Sequence, residues 1–308
     1  MNEFSIIDKY FNWDNDSTVS VGVGDDCAVI NLNSDYQIVT SVDTLIQGVH
    51  FSSSTRASDV AYKALAVNLS DLAAMGAIPR FFTLSLSFPE LDEVWLSEFS
   101  NSLKDLSEKY SINLVGGDTT RGPLSITINV TGEIERGCSI MRSGAKVGDL
   151  VYISNTVGDA AYAWKQIQGN GSVSSSAISR LNRPTPRIEL GRSLVGIARS
   201  CIDISDGLEQ DLCHILDSSS VGATIDIDRL PLSDEVRSYI KDSGDWCIAL
   251  SGGDDYELCF SVDKKHSHKI KDIEERAQIK LTEVGIITAS RGLIVNGFNA
   301  ECQSYQHF

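Results

Sequence analysis

The 308-residue sequence has no run of eighteen or more uncharged apolar residues, so no segment reads as a membrane-spanning helix. Its start, MNEFSIIDKYFNWDND, lacks both the basic opening and the apolar stretch of a secretory signal. A soluble, unexported, cytoplasmic chain is the expectation. Cysteine pairs spaced as CxxC are absent as well: Cys27, Cys138, Cys201, Cys213, Cys247, Cys259 and Cys302 are scattered and odd in number. That spacing argues against a zinc site or a disulfide frame and predicts reduced thiols serving as small buried hydrophobes. Basic residues are few. With 26 Lys and Arg against 42 Asp and Glu, and a net charge of −16, the balance argues against a nucleic-acid partner, because phosphate backbones need clustered cations.

The usual nucleotide signatures are missing too. GVGDDC lacks the third glycine of a dinucleotide fingerprint, GAKV at 144–147 has neither the spacing nor the hydroxyl residue of a P-loop, and the HRD and DFG motifs of protein kinases do not occur. No short-period repeat is visible.

What is present is apolar content of 42%, enough for a large core and, at this length, for two domains. Residues 37–43 and 124–130 read as strands, with two helices between them. The first starts near Ser58 and stops at Gly76; the second spans about 91–110 with Val94, Trp95, Leu103 and Leu106 on its apolar face. Beyond Gly137 a strand at 150–154 and a helix at 159–168 follow, then a Gly/Ser-rich loop at 169–176 and the break RPTPR leading into a helix at 188–199. Strands at 223–227, 256–262, 283–287 and 292–295 and helices at 233–243 and 269–277 complete the pattern. Mixed strands and helices in both halves predict two α/β (α+β) domains, 1–137 and 138–308.

The aspartates carry the functional signal. GVGDD at 22–26, GGDTTRG at 116–122, DISDG at 203–207 and SGGDDYE at 251–257 each set carboxylates beside glycine, and each reads as a tight turn after an apolar run. Such turns allow close backbone approach to an anion, while carboxylates offer the hard oxygens that magnesium prefers. Any one of them is ordinary turn chemistry. Four together, joined by Asp43 at a strand end and Asp71 within an apolar helix, point to phosphates bound through shared metals. For Asp71 two readings stand open, a buried structural pair and a metal ligand.

In order along the chain, GVGDDCAV, SVDTLIQGVHF, YKALAVNLSDLAAMGA, LVGGDTTRG, RSGAKVGDLVYIS, RPTPR, IDISDGLEQDL and ALSGGDDYEL resemble the thiamine-monophosphate kinase family, within the superfamily related to aminoimidazole ribonucleotide synthetase. The resemblance implies a two-domain PurM-like fold, whose N-terminal mixed sheet with helices forms the core of a homodimer and whose C-terminal domain is α/β. It implies ATP-dependent phosphorylation of thiamine monophosphate to thiamine diphosphate with several magnesium ions. By motif, Asp26, Ser41, Val42, Asp43, Asp71, Asp118, Asp203 and Asp206 would hold metal, with Asp43, Asp71 and Asp118 as the catalytic carboxylates. Val42 stands where relatives often have Thr, leaving only its carbonyl as a ligand. Tyr110, Gly117, Asp118, Arg142 and Ser205 would contact ATP; His50, Asp254 and Tyr305 would contact the acceptor. Asp254 replaces the Glu of the usual GGEDYE, one methylene shorter.

Donor and acceptor are both polyanions, so charge neutralisation is the main task, and a phosphate monoester with a second pKa near about 6 is already ionised and needs no general base. Anionic Asp254 and aromatic Tyr305 suit a thiazolium cation and a flat pyrimidine. On residues alone, His50 reads equally as a hydrogen-bonded core histidine, Tyr305 as an aromatic plug and Arg142 as a surface ion-pair partner. Competing functions are a cyclo-ligase or selenophosphate synthetase of the same superfamily, for the latter of which no reactive Cys with a nearby Lys is found, and a non-catalytic nucleotide or metal sensor.

Overall fold

The computed structural model describes residues 3–23, 27–298 and 302. The chain divides into two compact units, Met1–Leu72 with Ala77–Gly137, and Ala73–Gly76 with Cys138–Phe308. No helix among the described residues is long and apolar enough to cross a membrane.

The first unit runs α1 (Glu3–Tyr10), β1 (Val19–Val21), β2 (Val29–Ile30), β3 (Tyr36–Ile46), α2 (Ala57–Met75), β4 (Ile78–Phe88), α3 (Glu93–Tyr110), β5 (Asn113–Arg121) and β6 (Ser125–Glu135). Its main sheet has the order β3-β6-β4-β5, antiparallel except for the parallel β4–β5 pair. Alternation gives β3, β4 and β6 one apolar face, where Phe82, Leu84, Leu86, Ile126, Ile128 and Val130 are buried with Leu65, Leu69 and Leu72 of α2. Helix α3 is capped by Asp92, whose Oδ1 accepts from the backbone N–H groups of Val94 and Trp95. Its buried face is Leu96, Phe99, Leu103 and Leu106; Val94, expected on that face, is 71% exposed in the first turn.

The second unit runs β7 (Leu150–Ser154), α4 (Asp159–Gln168), α5 (Ser175–Asn182), α6 (Ile188–Leu194), β8 (Ala198–Asp203), α7 (Leu208–Ser219), β9 (Gly222–Asp226), α8 (Asp234–Ser243), α9 (Cys247–Leu250), β10 (Leu258–Val262), α10 (Ile270–Ala277), β11 (Leu281–Thr288) and β12 (Gly292–Asn296). Its six-stranded sheet, β12-β9-β11-β7-β10-β8, is antiparallel but for the β12–β9 edge. The central strands β7 and β10 are buried along their whole length, as an apolar run covered on both faces requires.

Four expectations are corrected. The helix predicted at 188–199 stops at Leu194, because Gly196 takes a φ of 73° and the chain turns into β8. The strand expected from Tyr256 begins at Leu258, since Tyr256 has a φ of 51°, outside extended geometry. Strand β4 is new: Pro79, read as a stop after Gly76, sits in this strand at an irregularity between Pro79 and Phe81, the position where a strand tolerates a missing N–H. Finally, the thiols are not all reduced and buried. Cys247 and Cys302 form a disulfide with a Cα–Cα distance of 5.3 Å, bringing together residues 55 apart in sequence, and Cys27 is exposed.

Candidate active site

Strand β3 sets Ser41 and Asp43 on the face that meets α2, and Val42 on the other, where it is 55% exposed. From the helix, Asp71 accepts a hydrogen bond from Ser41 Oγ at 2.6 Å, and Asn68, one turn earlier, accepts the Asp43 backbone N–H at 3.0 Å. Asn68 is itself held, donating to the Ala64 carbonyl at 2.9 Å. Asp71 is therefore not stranded in apolar surroundings: it lies half-buried at the sheet edge, braced by a hydroxyl. Just past β3, His50 accepts the Ile46 N–H on Nδ1 at 3.0 Å, which places the ring proton on Nε2.

Asp118 stands apart from this group. Residues 116–121 of GGDTTRG are no turn but part of β5, and Gly117 is needed because a Cβ there would lie 1.9 Å from the Leu84 carbonyl oxygen of β4. Register pairs Asp43 with Ile128, Leu84 and Gly117 in one row across the sheet, and Asp118 with Ser85 and Thr127 in the next. Adjacent rows face opposite ways, so Asp118 projects from the exposed face. Tyr110 ends α3, with Lys109 Nζ 5.2 Å from its ring centroid, and Arg142 is exposed on the segment before β7.

In the second unit two loops are laced together. Asp203 ends β8 and is buried; Ile204 donates to the Glu257 carbonyl at 2.8 Å, Tyr256 to the Ile204 carbonyl at 2.8 Å, and Asp254 to the Ser205 carbonyl at 2.7 Å. The turn ahead of α7 is closed by Asp211, whose Oδ2 accepts the N–H groups of Ser205, Asp206 and Gly207 at 3.0, 3.1 and 3.2 Å. Burial and the nearby Asp206 carboxylate push the Asp211 carboxyl up to about 7 against the pull of those three donors. Asp206 accepts from Gln210 Nε2 at 2.8 Å.

Behind the 251–257 loop lies a charged cluster. Glu257, fully buried, receives Ser154 Oγ at 2.6 Å, Asn155 Nδ2 at 3.0 Å, Arg180 Nη1 at 2.8 Å and Arg187 Nε at 2.7 Å. Asp255 takes the Gly158 N–H on both oxygens, at 3.0 and 2.9 Å; burial drives its carboxyl well above the usual carboxylate range, with Arg180 opposing.

Residues 24–134 match the AIR synthase related protein N-terminal domain family and residues 146–297 the corresponding C-terminal domain family. A thiamine-monophosphate kinase of Haemophilus influenzae is 42% identical over 298 residues, covering 95% of this chain and 91% of that protein. The crystal structure of thiamine-monophosphate kinase from Stenotrophomonas maltophilia superposes with a TM-score of 0.87 at 41% identity, over 92% of this chain and 93% of that one. The chain belongs to the thiamine-monophosphate kinase family. A further member, AaThiL complexed with AMPPCP and TMP, aligns with a TM-score of 0.80 at 32% identity, over 94% of this chain and 93% of that one.

Against this family's expected ligand set, the fold gathers Ser41, Asp43 and Asp71 in one unit, and Asp203, Ser205, Asp206 and Asp254 in the other. Asp26 and Tyr305 lie outside the described residues. Among the described residues no three His, Cys, Asp or Glu side chains converge as a metal cage. The donors nonetheless suit magnesium, which takes one or two carboxylates and completes its shell with water and substrate phosphates. Asp211, Arg180, Arg187 and Glu257 went unread in the sequence. Asp211 had a local signal, an acid in the first turn of a helix whose N-cap is glycine; the arginines had none, since their partner lies at least 70 residues away.

Proposed function

We propose that this chain phosphorylates thiamine monophosphate to thiamine diphosphate with ATP, by direct in-line transfer. The observation that carries the reading is similarity along nearly the whole chain to a family member bound to an ATP analogue and TMP, joined by the all-oxygen donors of Ser41, Asp43, Asp71, Asp203 and Asp206. Asp43, Asp71, Asp203 and Asp206, with Asp26, Ser41, the Val42 carbonyl and Asp118, would hold several magnesium ions, whose chemistry there would be to offset the charge on the phosphate oxygens of donor and acceptor.

Each remaining step belongs to the protein. Ser41 orients Asp71 by its 2.6 Å hydrogen bond, fixing which carboxylate oxygen turns outward. The N–H groups of 205–207 are already taken by Asp211, so Ser205 meets ATP through its side chain rather than through a helix-terminus anion site. Tyr110, Gly117 and Arg142 complete the ATP contacts. His50 offers an Nε2 proton to the acceptor, Asp254 an anion to its cationic ring system, and Tyr305 a flat face.

The functional unit is a homodimer built on the first unit. Asp43 and Asp118 lie on the two edge strands, three strand spacings or roughly 14 Å apart, and on opposite faces, too far to share one ion with ligand distances near about 2 Å. A second copy laid on the exposed face covers the side from which Asp118 projects, while Asp43 stays on the α2 side. Ile38, Val42 and Ile46, each at least 40% exposed on β3, give that face apolar area to bury.

The test is direct. Purified protein with ATP, magnesium and thiamine monophosphate yields thiamine diphosphate and ADP, and EDTA stops the reaction; a folded preparation that forms no thiamine diphosphate refutes the assignment.

A further inference from the structure

The 251–257 loop contains an anomaly that packing does not explain. Gly253, Asp254 and Tyr256 have φ values of 67°, 63° and 51°, three left-handed residues in four. Glycine adopts this region freely and aspartate tolerates it, but for a bulky side chain it costs about 1–2 kcal/mol. A loop shaped only to pack would be relieved by glycine at 256. Strain of this kind persists where the surroundings over-determine it and the side chain is used.

The surroundings do over-determine it. Side chains alternate along the loop: Asp255 and Glu257 point inward and are buried, while Asp254 and Tyr256 are half-buried on the outer side. The inner pair is anchored by Gly158 N–H and by Ser154, Asn155, Arg180 and Arg187. The backbone is pinned to the neighbouring loop through Asp254 N–H to Ser205 and Tyr256 N–H to Ile204. Even Gly253 is confined, since a Cβ there would come within 2.6 Å of the Ser205 carbonyl oxygen. On this fixed track, the Tyr256 hydroxyl donates to Asp254 Oδ1 at 3.0 Å.

We propose that Tyr256 is a positioning residue for the acceptor: its hydroxyl holds the Asp254 carboxylate in the orientation that receives the cationic ring system of thiamine monophosphate. The inference rests on the reading that Asp254 meets the acceptor. Aspartate has one fewer rotatable bond than the glutamate usual here, so its oxygens reach less far and their direction matters more. A hydroxyl held on a rigid loop sets that direction before the ligand arrives, which lowers the ordering cost of binding. ATP has no part in this contact, so the effect falls on the acceptor alone.

The variant Tyr256→Phe keeps the ring and removes only the donor. Steady-state kinetics are expected to show KM for thiamine monophosphate raised about tenfold, KM for ATP within about twofold of wild type and Tm within about 2 °C, and calorimetric binding of thiamine monophosphate without ATP is expected to weaken by the same factor. In an Asp254→Asn background, adding Tyr256→Phe is expected to change KM by less than about twofold, because the carboxylate being oriented is gone. A raised KM in Asp254→Asn with an unchanged KM in Tyr256→Phe overturns the positioning role alone, as does full additivity in the double variant. An unchanged KM in Asp254→Asn overturns the reading of Asp254, and this inference with it.

Discussion

The two carboxylate stations are built on opposite plans. In the first unit, Ser41, Asp43 and Asp71 project from regular elements, β3 and α2, with the Ser41 hydroxyl bonded to Asp71 and the Asn68 amide oxygen to the Asp43 backbone. In the second, Asp203 ends strand β8 while Asp206 and Asp254 sit on irregular loops, Asp254 at a left-handed position, held by buried Asp211, Asp255 and Glu257 and two arginines. Regular backbone is rigid already and needs little bracing; a loop must be braced by its own side chains. On the function proposed above, the first station's carboxylates are the ones offered to metal, whereas the second uses several carboxylates to hold its shape.

The largest effect expected from that contrast is on turnover without loss of fold. Asp71→Asn keeps an oxygen that Ser41 Oγ can bond, so the helix and sheet should survive, while removal of a charge from a metal site should lower kcat by about 10³-fold or more. Circular dichroism and calorimetry alongside the kinase assay check both halves; a Tm drop of more than about 5 °C would break the contrast. The same variant tests the dimer. Co-expressed with Asp118→Asn, it should regain roughly a quarter of wild-type activity if each site draws Asp118 from the second copy, since half the dimers then carry one intact site. No recovery would place both carboxylates in one chain's site.

A smaller effect, on stability instead, is expected in the second unit. Glu257→Gln leaves Arg180 and Arg187 facing a neutral amide in a buried cluster, and breaking such a network costs about 3 kcal/mol or more. For a domain of this size that is a fall of roughly 8–12 °C in Tm, read by calorimetry, with turnover failing because the loop relaxes. An unchanged Tm with lost turnover would make Glu257 part of the chemistry and erase the distinction between the two stations.

How much of this could be read from sequence follows the same division. Asp43 and Asp71 stand out because β3 and α2 announce themselves by period and the carboxylates interrupt it, whereas Ser41 enters only through the family motif. By sequence Asp118 reads as a turn residue, since glycine beside aspartate is ordinary turn chemistry, whereas Gly117 is there to let β5 approach Leu84 of a different strand. That reason is non-local and leaves no local trace. Strand β4 was hidden by Pro79, whose tolerance depends on an irregularity that only strand pairing creates. The bracing of the 251–257 loop was illegible for the same cause: Glu257 meets Ser154 from 103 residues away, and nothing near Arg187 in RPTPR hints at its partner.

The disulfide sharpens the comparison last. Of the seven cysteines, only Cys27 lies in the first unit, so reduction can act on the second station alone. Cys247 opens α9, directly ahead of the 251–257 loop, and its bond fixes Cys302 beside that helix. Denatured, unreduced protein should therefore titrate five thiols, Cys27, Cys138, Cys201, Cys213 and Cys259, and seven after reductant. In the native state Cys27 should react first and Cys201 and Cys259 not at all, because burial pushes both thiols up and shields them from reagent. Cys302→Ser should lower the stability of the second unit by about 2 kcal/mol, less than Glu257→Gln, because it removes one closure among many contacts rather than exposing buried charge. Seven titratable thiols before reduction would show the pair unbonded, leaving the second station braced by its ion network alone.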